Sequence, residues 1–345
     1  MNAAPVVGLA GADSDVEAFV AAHARATPFH SARWGRAIET AAGHCWHPLV
    51  ARNPAGTIIG LLPLHHIRSR LFGSALISSG FAVGGGILAD DEATAEALAT
   101  AARDLATSLG LSSIELRGGT MPTGWAVVRD SHLGFERPLA ATDEEELAAI
   151  PRKHRAEVRK GLAAPLSVTV GRDRRARDAH YAVYAESVRN LGTPVFPRRL
   201  FDAVLDAFGD DADILTVTQD SAPQSSVLSL YWRGSVMPYW GGGTRDARSL
   251  RANERMYFAL MGHARECGMA RFDFGRSKTG SGPAAYKKNW GFEGVPLAYA
   301  HWSANGAVRD MNPTSAKYRL MVNGWQRLPL WLANRVGPVI ARQLG

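Results

Sequence analysis

Arg271-Phe-Asp-Phe-Gly-Arg-Ser-Lys-Thr-Gly-Ser-Gly-Pro-Ala-Ala-Tyr-Lys-Lys-Asn-Trp-Gly-Phe292 is the stretch that decides the reading of this chain. It opens as an alternating strand, Phe272, Asp273, Phe274, with apolar side chains on one face and the acid on the other. A turn with Gly275, Gly280 and Gly282 follows, then the pair Lys287 and Lys288, then the step Trp290, Gly291, Phe292. Glycines let backbone approach a ligand closely, and the cations supply fixed positive charge beside it. Arg276 and Lys278 lie inside the turn and are candidate ligands for phosphate or carboxylate. Asp273, at the strand end, is read first as a buried acid satisfied by nearby backbone or Arg276, and second as a base or substrate contact.

Upstream, Ile214–Thr218 reads as a strand, and Ser226–Trp232 with Ser235–Trp240 as a hairpin around Arg233-Gly234. Gly241–Gly243 and a helix over about 250–267 lead into the strand at 271. Tyr239 could face a site and Arg245 could reach an anionic ligand, while Trp240 is explained by packing. Residues 166–171 form a further strand, with helices over 174–191 and 198–208.

The N-terminal part is also mixed. A helix is expected over 13–43, strands over 47–52 and 57–68 around Asn53-Pro-Ala-Gly56, a glycine- and serine-rich loop over 73–87, a helix over 91–109 and a strand over 113–117. The two halves share a coarse helix–strand–strand–helix–strand order, so the fold class is α/β of mixed α+β character. The expected division is 1–142, a basic linker helix at 143–163, a second domain at 164–305 and a tail at 306–345. Thr142 caps the linker, four acids stand at its positive end, and Pro151 restarts it. Arg152, Arg155 and Arg159 then share one face, either solvated or in contact with an anionic substrate or tRNA.

Length and composition set the outer bounds. With 345 residues, 46% hydrophobic and 21% charged, two soluble domains are expected. The net charge of +7 suits either an anionic partner (nucleic acid, a nucleotide-linked substrate, a cofactor phosphate or an anionic membrane face) or a basic surface of no specific use. Cys45 and Cys267 show no metal spacing, and His65-His66 and His44-x-x-His47 lack a partner set, so no metal is expected. No basic segment leads into an apolar run, and no apolar window is long enough for a span, so a cytoplasmic location is expected. From 312 onward there is no acid, but Lys317, Arg319, Arg327, Arg335 and Arg342 interleave with Leu328, Leu330, Trp331, Leu332, Val336 and Ile340. Such a tail suits packing against the body or peripheral contact with the inner membrane. Pro329 and Pro338 are expected to break any long helix in it.

The order of elements resembles the GNAT acyltransferase fold, and more closely the Fem-type aminoacyl transferases, which use two such domains in tandem. The carriers are the helix ending near Gly268, the strand Phe272–Gly275, and Tyr286-Lys-Lys-Asn-Trp-Gly291, an aromatic–lysine–two residues–aromatic–glycine step. Pro151-Arg-Lys-His-Arg155, Gly275-Arg-Ser-Lys278, Lys287–Phe292 and the tail from Asn312-Pro look like the FemAB-related proteins of exosortase/PEP-CTERM systems, which occur beside exopolysaccharide genes. The resemblance implies acyl transfer to an amine of an envelope or exopolysaccharide precursor. It places Lys287 on the oxyanion of the tetrahedral intermediate with Tyr286 beside it; Arg276, Lys278, Tyr239, Arg245, Asp273 and Arg155 are, on the reading of the residues themselves, the candidate substrate contacts. It implies no tightly bound cofactor, with aminoacyl-tRNA or acyl-CoA as donor. An acyl-CoA-dependent N-acyltransferase and a non-catalytic binding scaffold are the alternatives. One departure bears on the donor. The GNAT phosphate loop reads Arg/Gln-x-x-Gly-x-Gly/Ala, and Gly242-Gly-Thr-Arg-Asp-Ala-Arg-Ser-Leu-Arg-Ala252 does not supply it.

Overall fold

Pro28 interrupts the first expected helix. Its ring clashes with the carbonyl four residues back and it lacks an N–H, so 13–43 becomes α1 (Asp13–Ala22), a short turn at Pro28–His30, and α2 (Ala32–Ala42), the last capped by Ser31, which accepts from the Trp34 N–H at 3.2 Å. The computed structural model describes residues 5–304 and 316–345, with side chains of the second stretch from 321 on. The start of the expected tail, including Asn312-Pro313, and the side chains of Lys317 and Arg319 therefore lie outside the described residues.

Two compact units emerge. One runs to Ser131, resumes at Leu297 and closes with Arg342–Gly345; the other comprises His132–Pro296 and the stretch ending at Ala341. In the first, β1 (Val6–Leu9) precedes α1 and α2, and β2 (Cys45–Arg52), β3 (Ile58–Ile67), β4 (Ala75–Ser78) and β5 (Leu88–Ala89) follow them. Then come α3 (Glu92–Ser108), β6 (Ser113–Arg117) and β7 (Ala126–Val128). The 73–87 segment, expected as loop, thus contains a strand; Leu76 and Ile77 are buried there.

The second unit starts with β8 (His132–Pro138), α4 (Asp143–Ala149) and α5 (Arg152–Ala163). β9 (Ser167–Gly171), α6 (Arg174–Asn190), α7 (Arg198–Phe208), β10 (Ala212–Gln219), β11 (Ala222–Trp232) and β12 (Ser235–Gly243) follow. Next are α8 (Ala247–Leu250), α9 (Ala252–Glu266), β13 (Arg271–Lys278), α10 (Gly282–Asn289) and β14 (Gly294–Pro296). The chain then enters the first unit as β15 (Tyr299–Ser303) and ends with α11 (Ala316–Gln326) and α12 (Leu330–Ala341) of the second. Pro329 stands between these last helices; Pro338 is carried inside α12, near its end, where the missing N–H does not stop it.

The units do not divide at 142 and 305. The 143–163 segment is part of the second unit's body rather than a linker, because Ile150 and Val158 are fully buried in its core and β8, before it, pairs with β13. In the first unit the sheet order is β1-β2-β3-β4-β6-β15-β7, with β5 beside β3; in the second it is β14-β8-β13-β12-β11-β10-β9. Among the described residues each sheet has one parallel pair of strands among antiparallel neighbours, β4/β6 and β12/β13. In each, a helix crosses over between the two strands, as parallel pairing requires.

The second core shows how sequence spacing makes the layers. Leu200, Phe201, Val204, Leu205 and Phe208 recur at helical spacing and are buried along one side of α7. Phe272 and Phe274 alternate on β13 and meet Phe292 at ring-centroid distances of 5.8 and 5.1 Å. Each such fully buried aromatic contributes roughly 2–3 kcal/mol by area.

Candidate functional site

Beyond Ser235↔Arg271 and Val236↔Phe272, β12 and β13 stop pairing. β12 stays with β11 as far as Gly243, and β13 stays with β8 as far as Lys278, so the two strands open apart. Tyr257 of α9 spans this opening. Its ring is 4.7 Å from that of Phe274, and a Cβ on Gly241 would lie 3.3 Å from its hydroxyl oxygen. The strand ends facing the opening keep backbone groups outside the ladder, which is where an extended ligand can be held.

β13 is bent at this place. Its register with β8 shifts between Asp273 and Gly275, and Gly275 takes φ +69°. The Asp273 carboxylate accepts from the Gly275 N–H at 2.8 Å, fixing the bulge. This re-aims the carbonyls of Gly275 and Arg276.

Those carbonyls receive Lys287. Ser281 caps α10 by accepting from the Ala284 N–H at 3.3 Å, and Pro283 stands in the first turn. The helix then carries the lysine back over the bulge. Lys287 Nζ donates to Gly275 O at 3.2 Å and Arg276 O at 2.9 Å, and lies 5.4 Å from each of the Phe135 and Phe274 ring centroids. An ammonium has three donors. Two are used here, and the third meets no acceptor among the described residues. Burial lowers the lysine to about 8, with the Arg276 charge pushing the same way and Asp273 opposing. Burial raises Asp273 to about 6, against its bond from Gly275. Gly291 closes the segment at φ +85°, with Pro151 Cδ 3.2 Å from where a Cβ would be. Only glycine allows that turn between Trp290 and Phe292.

The structure thus brings together Lys287, Asp273 and Arg276, and places half-buried Lys278 two residues further along β13. Lys288 is exposed. Tyr286 points elsewhere: its ring meets His154 edge-on at 5.6 Å, and its hydroxyl reaches Glu254 Oε1 of α9 at 3.5 Å. Burial and the Glu254 charge hold the Tyr286 hydroxyl well above its ordinary value, and burial also raises Glu254. Tyr239 is half-buried against Trp240, with centroids 4.8 Å apart, on the far side of the strand opening from β13. Arg245 is exposed just past β12, and its backbone N–H donates to Glu186 Oε1 at 2.8 Å. Arg155 binds the end of α4, donating to Ala148 O at 2.6 Å and Ile150 O at 2.9 and 3.0 Å.

Three neighbours of the site were not singled out by the sequence. Phe135 comes from a strand far upstream, which no local pattern links to Lys287. Glu254 and Tyr257 lie one turn apart in an ordinary helix. An acid in the first turn of α9 is the one signal that could have marked Glu254. In the other unit, His65 is a satisfied core residue: one ring nitrogen lies 3.1 Å from Gly35 O and the other accepts from the Gly80 N–H at 3.0 Å. No group of three metal-ligating side chains gathers among the described residues.

Residues 150–288 match the acetyltransferase (GNAT) domain family. No curated protein matches the sequence. Among solved structures, FemX is 15% identical with a TM-score of 0.66, covering 86% of this chain and 96% of that one. L-PGS from Bacillus licheniformis is 11% identical with a TM-score of 0.56, covering 93% and 99%. A tandem GNAT protein from the clavulanic acid biosynthesis pathway is 14% identical with a TM-score of 0.53, covering 88% and 99%. The fold is therefore mixed α+β with GNAT-like units in tandem, and the domain match and fold point to an acyltransferase.

Proposed function

We propose that the chain is a Fem-type acyl or aminoacyl transferase that modifies an amine on a cell-envelope or exopolysaccharide precursor, on the cytoplasmic side of the inner membrane. The observation that carries the reading is the Lys287 ammonium, locked by two carbonyls with one N–H left to donate. When the amine attacks the donor's carbonyl carbon, the oxygen gains charge. A preset cation beside it lowers that barrier, and the half-buried setting between two rings strengthens the attraction. Lysine suits the place because its charge is compact. Arg276 and Lys278 supply grip for an anionic precursor. The FemAB-like motifs, which extend to proteins of exosortase/PEP-CTERM systems, support the envelope assignment.

The donor is either aminoacyl-tRNA or acyl-CoA. The open strands β12 and β13 favour an extended, amide-bearing arm such as that of a thioester cofactor. The turn after β12 favours the other donor. There the Arg245 N–H already holds the Glu186 carboxylate, an anion placed where a phosphate would need donors. We take aminoacyl-tRNA as the better fit and acyl-CoA as the second reading. The test is transfer assayed with each donor class against extracted envelope precursors, using wild type and Lys287→Ala. Binding of coenzyme A with no discrimination for charged tRNA overturns the aminoacyl reading. Precursor binding without transfer by any donor leaves the scaffold reading instead.

A further inference from the structure

The last helix is built inside out. Along α12 the residues facing the body are small: Ala333, Gly337 and Ala341 are buried, and a Cβ on Gly337 would come within 3.0 Å of Val195 N. Larger apolar residues stand on the outward side, while Leu330, Leu332 and Ile340 are half-buried. Trp331 is 70% exposed and Val339 56%, with Val336 also exposed, and Arg335 lies among them. At 100° per residue, Trp331, Arg335, Val339 and Val336 fall in one continuous outward sector. A solvated surface helix shows the reverse arrangement, large apolar residues inward and polar ones outward. Two further apolar side chains are exposed where α11 and α6 meet: Met321 at 58%, and Leu191 at 63%, beside the Gly192 against which Val322 packs.

Charge narrows what can cover this face. Residues 312–345 hold five cations and no acid. Arg327 and Arg335 are exposed. A second copy of the same face would bring cation against cation. An anionic lipid surface satisfies both features at once: apolar side chains enter the headgroup boundary, arginines reach the lipid phosphates, and an exposed tryptophan sits at the level where its ring is favoured. No described helix is long and apolar enough to cross a membrane. We propose that the outward face of α12, centred on Trp331, docks the protein peripherally on an anionic bilayer.

This surface is independent of the transferase reading, since it can be tested without any acyl donor. Full-length protein is sedimented with phosphatidylcholine vesicles, with and without phosphatidylglycerol, at low and high salt. Wild type is expected to bind the anionic vesicles selectively and to lose binding as salt rises. Trp331→Asp should weaken binding by roughly tenfold or more, and the Arg327→Glu/Arg335→Glu pair should remove the preference for phosphatidylglycerol. All three positions are exposed, so the fold and any acyl-transfer activity on a water-soluble acceptor should persist. Equal binding to both vesicle types overturns the proposal, as does a Trp331→Asp protein that binds like wild type. A concentration-dependent dimer dispersed by Trp331→Asp, without vesicle binding, overturns it in favour of a second copy.

Discussion

Lys287 Nζ lies 2.9 Å from the carbonyl oxygen of Arg276, so α10 and the end of β13 are tied through a single ammonium. Removing that ammonium should remove the charge proposed to meet the oxyanion while leaving the aromatic packing of Trp290 in place. Lys287→Ala is expected to lower kcat for acyl transfer by about 10²–10³, with KM little changed. Lys287→Arg should recover only part of this, because a planar fork cannot place one donor on each carbonyl and keep a third in the same direction. A kcat within about threefold of wild type for Lys287→Ala would rule out the oxyanion role.

The same lysine sets an alkaline limit. Its folded value is about 8, below the ordinary 10.5, so activity that needs the ammonium should fall as pH rises through about 8. The stability effect has the opposite sign. Between about 8 and 10.5 the unfolded chain binds more protons than the folded one, so stability should rise with pH over that window. A kcat profile and a denaturant series across this range would separate the two. An alkaline limb unchanged in Lys287→Arg would assign the limb to another group.

Asp273 behaves inversely. Its value is raised from 3.8 to about 6, so the folded chain binds the extra proton and stability should decline as pH rises from about 4 to 6. Asp273→Asn keeps an oxygen for the Gly275 N–H and deletes the charge. It should raise stability at pH 7.5 by about 1 kcal/mol, after allowance for the carboxylate's partial exposure and its attraction to Lys287. If Asp273→Asn is instead destabilised by more than about 1 kcal/mol at that pH, attraction to the lysine outweighs burial.

Gly275 gives a backbone test. At φ +69° an alanine is strained, so Gly275→Ala should cost about 1–2 kcal/mol and shift the carbonyls that hold Lys287. Loss of kcat out of proportion to the change in Tm is the expected outcome. Tyr286→Phe should be milder than any change at Lys287, because the Tyr286 hydroxyl is turned toward Glu254. A kcat loss equal to that of Lys287→Ala would assign that hydroxyl a part in the reaction.

A last prediction concerns the other end of α9. His263 Nε2 lies 2.8 Å from Asp213 Oδ2, which also accepts from the Tyr231 hydroxyl at 2.9 Å. The bond to Asp213 raises the histidine above 6.5, so its contribution is complete below that pH and lost as pH rises through the higher folded value. His263→Ala should flatten this slope in urea midpoints between pH 6 and 8, and a slope unchanged by the substitution would locate its origin elsewhere.

The parts of this fold that were legible were local. The repeat Leu200, Phe201, Val204, Leu205, Phe208 announced α7, and Arg233-Gly234, both at positive φ, announced the β11–β12 hairpin. Lys287, Arg276 and Asp273 could be picked out because chain connectivity alone puts them within one strand and the next helix. Phe135, which lines the lysine, could not: its place follows from β8 pairing with β13, a contact between segments more than a hundred residues apart. The role of Arg155 was hidden for another reason. A cation on a basic helix looks solvated until the carbonyls at the end of α4 are seen to accept from it.

The passage of the chain through β15 has a consequence for biosynthesis. Among the described residues β7 joins the first sheet only through β15, and β6 has its second neighbour there. The ribosome therefore releases the strand that completes the first unit only after the whole of β8–β14 has been made. Until then β6 presents an open edge, of the kind that invites pairing with another chain. A stop codon placed anywhere before Tyr299 would leave that edge exposed for good, so truncations aimed at isolating the first unit at Ser131 should aggregate unless β15 is grafted back.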